Sequence, residues 1–155
     1  MYLVPSRKTH IPELMSWFPD QQACAQWGGP DMRFPFTEKS FLQDIHWKKM
    51  PTYSALTEEG HVLGFGQFYE KLGRCHLARL AVAPQFRGQG LGREFISSLM
   101  AISKEQLGKT ECSLYVLEQN PQAVACYKSL GLSPVMAPEA DIKLKDCIYM
   151  IAAFD

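Results

Sequence analysis

The chain has 155 residues, 46% of them hydrophobic and 21% charged. That is enough for one packed domain over residues 1–155 and too apolar for a disordered chain. Sixteen Lys and Arg balance sixteen Asp and Glu; a duplex-wrapping protein carries a basic excess, so no nucleic-acid partner is expected.

The five cysteines, Cys24, Cys75, Cys112, Cys126 and Cys147, are odd in number and form no C-x-x-C pair. Neither a disulfide framework nor a zinc site has this spacing, so buried thiols in a reducing compartment are expected, and no metal. The first eight residues lack a basic-then-apolar leader, and the longest apolar run, Cys147 to Phe154, is far shorter than a membrane span. The expected compartment is cytoplasmic, with no membrane partner.

A short strand is expected at 2–4. Thr9 caps a helix to about Phe18, with Ile11, Leu14, Met15 and Phe18 on one face. A loop rich in Gly, Pro and aromatics follows, through Trp27-Gly28-Gly29-Pro30 and Phe34-Pro35-Phe36. Thr37 is a second N-cap, with Phe36 and Phe41 as a hydrophobic staple, and its helix ends near Trp47. Three strands come next, at 52–57, 62–69 and 75–82, with turns at Glu58-Glu59-Gly60 and Lys71-Leu72-Gly73-Arg74. Gly64 and Gly66 imply a close approach to the middle strand's backbone.

After Pro84 the period changes. Leu91, Phe95, Leu99 and Ile102 mark a helix from Gly90 to about Leu107, closed by Gly108. A strand follows at 111–117. Asn120 and Pro121 open a helix to Leu130, with Gly131 beyond it. Strands near 132–136 and 147–153 complete the chain. The order β-α-α-β-β-β-α-β-α-β-β describes an α/β (α+β) mixed sheet with an antiparallel centre, not an alternating doubly wound one.

The segment Gln85-Phe86-Arg87-Gly88-Gln89-Gly90-Leu91-Gly92 lies between a strand and a helix of about four turns. Its three glycines clear side chains from the helix start. The first helical N–H groups lack intrahelical partners there, and the dipole adds partial positive charge, which suits a phosphate. A glycine turn that only allows close packing has the same letters. Two rival phosphate loops are excluded. A dinucleotide fingerprint needs Gly where Arg93 stands, and a P-loop needs Lys-Ser/Thr after its last Gly.

Gln85-x-x-Gly88-x-Gly90 resembles the acetyl-CoA motif of the GNAT N-acetyltransferase superfamily, and Leu80-Ala81-Val82-Ala83-Pro84 resembles that family's preceding strand end. Asn120-Pro121-x-Ala123-x-x-x-Tyr127-x-x-x-Gly131-Leu132 resembles its next helix. The resemblance is strong over 62–132, topological in the first 50 residues and weak in the last 20.

The resemblance implies a GNAT-like fold with acetyl-CoA as co-substrate. It puts the pyrophosphate on the amides of Arg87, Gly88, Gln89, Gly90, Leu91 and Gly92. The pantetheine arm then lies beside Leu80, Ala81 and Val82 like an added strand, where a backbone N–H also stabilises an oxyanion. Tyr127 takes the role of general acid for the departing thiolate; without the resemblance it reads as a core tyrosine. Asn120 is a helix cap and a candidate cofactor contact. His76 and Glu70 are the candidates for general base, against readings as a half-buried strand histidine and a solvated hairpin glutamate. An alkylamine of pKa ~10.4 costs about 4.6 kcal/mol to deprotonate at pH 7, and an α-amine of pKa ~7.8 about 1.1 kcal/mol, so only the first demands a strong base.

Cys75 and Cys126 have no sequence-level activator and read as packed thiols. Trp17, Phe18, Trp27, Phe34 and Phe36 form either an aromatic lid over the acceptor or a plain cover for the sheet. The expected function is direct acetyl transfer to a primary amine of a small molecule. The alternatives are a protein N-terminus or lysine as acceptor, and a non-catalytic acyl-CoA-binding module. An exposed terminal strand is compatible with a homodimer.

Overall fold

Turn chemistry sets where the strands end. Gly60 and Gly73 have φ of +87° and +76°, and each closes a hairpin. The computed structural model of the chain describes every residue except 142, 143 and 145. Its elements are β1 (Tyr2–Pro5), α1 (Ile11–Met15), α2 (Gln21–Gly28), α3 (Glu38–Asp44), β2 (Thr52–Leu56), β3 (Val62–Lys71), β4 (Arg74–Val82), α4 (Leu91–Leu107), β5 (Glu111–Leu117), α5 (Pro121–Ser129), β6 (Ser133–Val135) and β7 (Cys147–Ala153). The strands form one sheet in the order β1-β2-β3-β4-β5-β7-β6. The pair β4–β5, joined through α4, is parallel, and the other described pairs are antiparallel.

The mixed sheet is the one expected, with differences in the first third. The expected helix over 9–18 is a 3₁₀ turn followed by α1, which stops at Met15; Pro19 disfavours helical backbone in the residue before it. The expected loop after it contains α2. Asp20 caps that helix, its carboxylate accepting from Ala23 N at 2.8 Å, and Gly29 at φ +99° ends it. Three helices therefore precede β2, not two. The α3 helix ends at Asp44, before the expected Trp47, because His46 turns to φ +57°.

Two features of β4 shape the site. Its pairing with β5 is confined to Cys75↔Cys112 and His76↔Ser113. Beyond them the two strands diverge, and the β5-facing edge of β4 loses its ladder. On its other side β4 pairs with β3 through a bulge: Phe65↔Ala81 and Gln67↔Ala78 leave Arg79 and Leu80 both opposite Gly66. Arg79 takes the extra position with φ +49°, a left-handed conformation uncommon for a non-glycine residue.

Strand alternation gives the sheet two different faces. One packs under α4, where Phe95, Ile96 and Leu99 meet Leu63, Phe68, Leu77 and Leu114. The close approach implied by Gly64 and Gly66 is α4 itself. A Cβ on Gly64 would lie 3.0 Å from the Phe95 ring, and one on Gly66 2.7 Å from Leu99. The other face carries the aromatic cluster of α1 to α3 with Phe65.

Candidate active site

The opening between β4 and β5 continues into a cleft of about 1740 Å³. A single small-ligand pocket is usually ~300–1,000 Å³, so the cleft has room for two reactants.

At one end lies the glycine loop. Gly88 and Gly90 have φ of +76° and +78°, and a Cβ on either would meet nothing within 4 Å. Backbone conformation, not crowding, asks for glycine there. Gly90 is the N-cap of α4 and supplies no side-chain cap, so the first N–H groups of this 17-residue helix are left for an external acceptor. The Arg87 Nε donates to Val82 O at 3.0 Å. Arg93 instead ties α4 to α5, donating from Nε to Ser129 Oγ at 3.1 Å.

Leu80, Ala81, Val82, Arg87, Gly88 and Gly92 line the cleft, as does Asn120. Gln89, Gly90 and Leu91 do not. Gln89 and Gly90 are exposed, and Leu91 packs against the core. Asn120 is the cap of α5, its side chain accepting from Ala123 N at 3.2 Å. Ala123 and Tyr127 follow on the same helical face and line the cleft with it. Tyr127 is 9% exposed. Burial pushes its phenol well above the ordinary value, so it remains protonated at neutral pH.

His76 lies where β4 and β5 part. It is 4% exposed, and its Nδ1 is 2.9 Å from Ser113 Oγ. Its ring sits edge-on between Tyr69 and Tyr115, with centroids 5.3 and 5.6 Å away. Burial, and then the nearby Lys71 charge, lower its pKa to about 4 against the opposing pull of Asp141. The imidazole is neutral at pH 7, with Nδ1 engaged and Nε2 without a protein partner among the described residues.

Glu70 is not brought into this group. It is adjacent to Tyr69, and the period of two sends it to the opposite sheet face. There it is exposed, its Oε1 2.9 Å from Lys109 Nζ.

The side of the cleft formed by the α1–α3 region is aromatic. Trp17, Phe18 and Trp27 line the cleft, with Phe18 and Trp27 stacked at 4.2 Å. Phe34 and Phe36 pack behind them, so the two readings divide between the residues. Arg79 and Tyr69 also line the cleft and were missed in the sequence. The available signal was a lone charge, Arg79, inside the apolar run 77–83. Ser113 carried none, because serine in a strand is ordinary.

Neither cysteine has an activating environment. Cys75 is buried, its thiol 3.4 Å from Ser103 O, and burial pushes the Cys126 thiol up. Among the described residues no cluster of His, Cys, Asp or Glu could hold a metal ion, and no helix is long and apolar enough to cross a membrane.

A parallel pair splayed beside a glycine-bearing helix start defines the chain as an acyl-CoA N-acyltransferase fold. Comparison with known proteins agrees. The model of the Acetyltransferase (GNAT) family matches residues 19–132. The ribosomal protein bS18-alanine N-acetyltransferase of Escherichia coli (strain K12) is 31% identical over 100 residues, which cover 64% of this chain and 66% of that protein. The mycothiol acetyltransferase of Salinispora tropica is 33% identical over 122 residues, covering 75% of this chain and 38% of its own length. In fold, the spermidine N-acetyltransferase of Vibrio cholerae, in complex with CoA and spermine, matches with a TM-score of 0.74 at 15% identity, covering 98% of this chain and 94% of that one. The chain belongs to the GNAT acetyltransferase family.

Proposed function

We propose that the protein transfers the acetyl group of acetyl-CoA directly to a primary amine of a small molecule. The observation that carries this reading is the unladdered edge of β4 running to the left-handed glycines that open α4.

These residues fit acetyl-CoA. The unpartnered N–H groups at the start of α4, with Gly88 and Gly92, would hold the pyrophosphate, and Arg87 would add charge beside it. The open edge of Leu80, Ala81 and Val82 would pair with the two amides of pantetheine as an added strand would. Acetyl-CoA supplies an activated acyl thioester. In the transfer a C–N bond forms and the C–S bond breaks, giving an N-acetyl amine and coenzyme A.

The protein's part is to orient groups and move protons. A main-chain N–H on the open edge of β4 would stabilise the negative charge that develops on the acyl oxygen. The neutral His76, its ring fixed by Ser113, accepts the proton that the amine loses. Tyr127, held protonated by burial, gives its proton to the leaving sulfur. Exposed Glu70 on the far face has no part in this arrangement.

A protein N-terminus is the second reading, motivated by the ribosomal-protein alanine specificity of one relative. The test is release of free thiol from acetyl-CoA across a panel of small amines and N-terminal peptides. Thiol release that depends on a small amine supports the proposal. Acetyl-CoA binding by calorimetry with no amine turned over would leave a binding module instead.

A further inference from the structure

The cleft lining has a one-sided charge. Among the described residues that line it are Lys49, Arg79 and Arg87 but no Asp or Glu. Arg87 belongs to the glycine-loop end. Arg79 stands next to Leu80, at the bulge where the proposed acyl site meets the face covered by α1 to α3.

The Arg79 guanidinium is fixed, yet among the described residues it makes no salt bridge. Nη1 donates to Gln67 Oε1 at 3.0 Å and Nη2 to the main-chain carbonyl of Asp44 at 3.3 Å. Both acceptors are neutral. The Nε–H is buried with no partner among the described residues. The Asp44 carboxylate, whose charge reaches Arg79 without direct contact, is paired instead with Arg33, Nη2 to Oδ1 at 2.9 Å. Gln67 is fully buried, and its amide donates to Ile45 O at 2.7 Å and Thr52 Oγ1 at 3.0 Å. Arg79 is thus held by a rigid partner, in a backbone conformation that disfavours a side chain. A half-buried cation held this way by neutral groups is unfavourable by itself and becomes favourable when an anion arrives. A guanidinium also matches a carboxylate geometrically.

We infer that Arg79 recognises a carboxylate on the acceptor, and that the acceptor is an α-amino acid or a close relative. This rests on the acetyltransferase reading above. The bulge places Arg79 beside the proposed acyl site, which suits an anion only a few atoms from the reacting amine. The stacked Phe18 and Trp27, with Trp17, offer an apolar wall for the amino acid's side chain. A polyamine would meet only positive charge in this lining.

The experiment measures thiol release from acetyl-CoA with each of the common amino acids, each also as its primary amide, and with spermidine. Rates are referred to the free-base fraction of each amine, because amides and acids differ in amine pKa. The wild type is expected to favour at least one acid over its amide by roughly 10- to 100-fold in kcat/KM, as fits a hydrogen-bonded charge pair. Arg79→Gln should collapse that ratio to within about threefold, and Arg79→Lys should retain part of it. Should either variant fail to fold, the wild-type ratio still decides. Equal or faster turnover of the amides or spermidine by the wild type overturns the inference and keeps the acetyltransferase reading, as does an Arg79→Gln enzyme with the ratio intact. Acetyl-CoA binding without turnover of any amine overturns the inference and the transfer reading together.

Discussion

His76 and Ser113 face each other across the last residue pair that joins β4 to β5, with His76 Nδ1 and Ser113 Oγ 2.9 Å apart. This contact closes the parallel ladder at the point where the cleft begins. It holds a ring whose pKa is lowered to about 4, first by burial and then by the charge of Lys71. A histidine with a folded-state pKa below its unfolded value of ~6.5 stabilises the fold above pH 6.5 and loses that contribution as pH falls toward 4. The expected loss between pH 7 and pH 5 is about 2 kcal/mol from this group. Urea denaturation at the two pH values should show it, and His76→Gln should flatten the dependence over that window. A variant as pH-sensitive as the wild type would show that His76 is not the source.

Tyr127 separates catalysis from binding. Its phenol is nearly enclosed on α5 and held protonated by burial. Tyr127→Phe keeps the ring's packing and removes only the hydroxyl. We expect kcat to fall by at least about 100-fold, the scale of a lost general acid. The calorimetric Kd for acetyl-CoA should change by less than about threefold, since the proposed pyrophosphate and pantetheine contacts are main-chain groups elsewhere. A variant with full turnover would remove Tyr127 from the chemistry.

The glycines divide into two kinds with opposite signatures. At Gly66 a Cβ would meet Leu99 at 2.7 Å and Leu80 at 3.0 Å. Gly66→Ala should destabilise the fold by about 1–3 kcal/mol through overpacking, softened because flexible leucine ends are what it meets. Gly90 is open to solvent but has φ +78°. Gly90→Ala should cost about 1–2 kcal/mol in backbone strain and raise KM for acetyl-CoA several-fold, because the amides of the loop are displaced. Denaturation and initial-rate kinetics on the two variants separate packing from binding.

The second half of the chain was largely legible, because its signals are local. Gly90, Gly108, Asn120, Pro121 and Gly131 each mark a helix end by backbone conformation or capping, and each stands at the end it marks. The first third was less so. The α2 helix is short, and its Gly28-Gly29-Pro30 ending reads as loop, although Asp20 followed by Gln and Ala residues was a usable cap signal. In the site, the glycine loop was legible from its own letters, while the roles proposed for Tyr127 and His76 came from the family resemblance. Glu70 was drawn in because sequence gives strand proximity but not which face a hairpin-end residue takes. Arg79 was passed over because a bulge depends on the register of β3 against β4, and no residue pattern within β4 encodes that register.

Gln67 tests whether this register is held by a polar network. Its side chain is fully buried, donating to Ile45 O and Thr52 Oγ1 and accepting from Arg79 Nη1. It therefore links the end of α3, the start of β2 and the bulge of β4. Gln67→Leu has similar bulk but satisfies none of these groups, and it leaves the Ile45 carbonyl and the Arg79 guanidinium short of partners. An unsatisfied buried polar group costs about 1–3 kcal/mol, and more for a charged one, so a loss of roughly 2–5 kcal/mol is expected by denaturant titration. Gln67→Glu should be milder on the Arg79 side and worse at Ile45 O, where a carboxylate oxygen replaces the donor. If Gln67→Leu were as stable as the wild type, the bulge would owe its conformation to apolar packing alone.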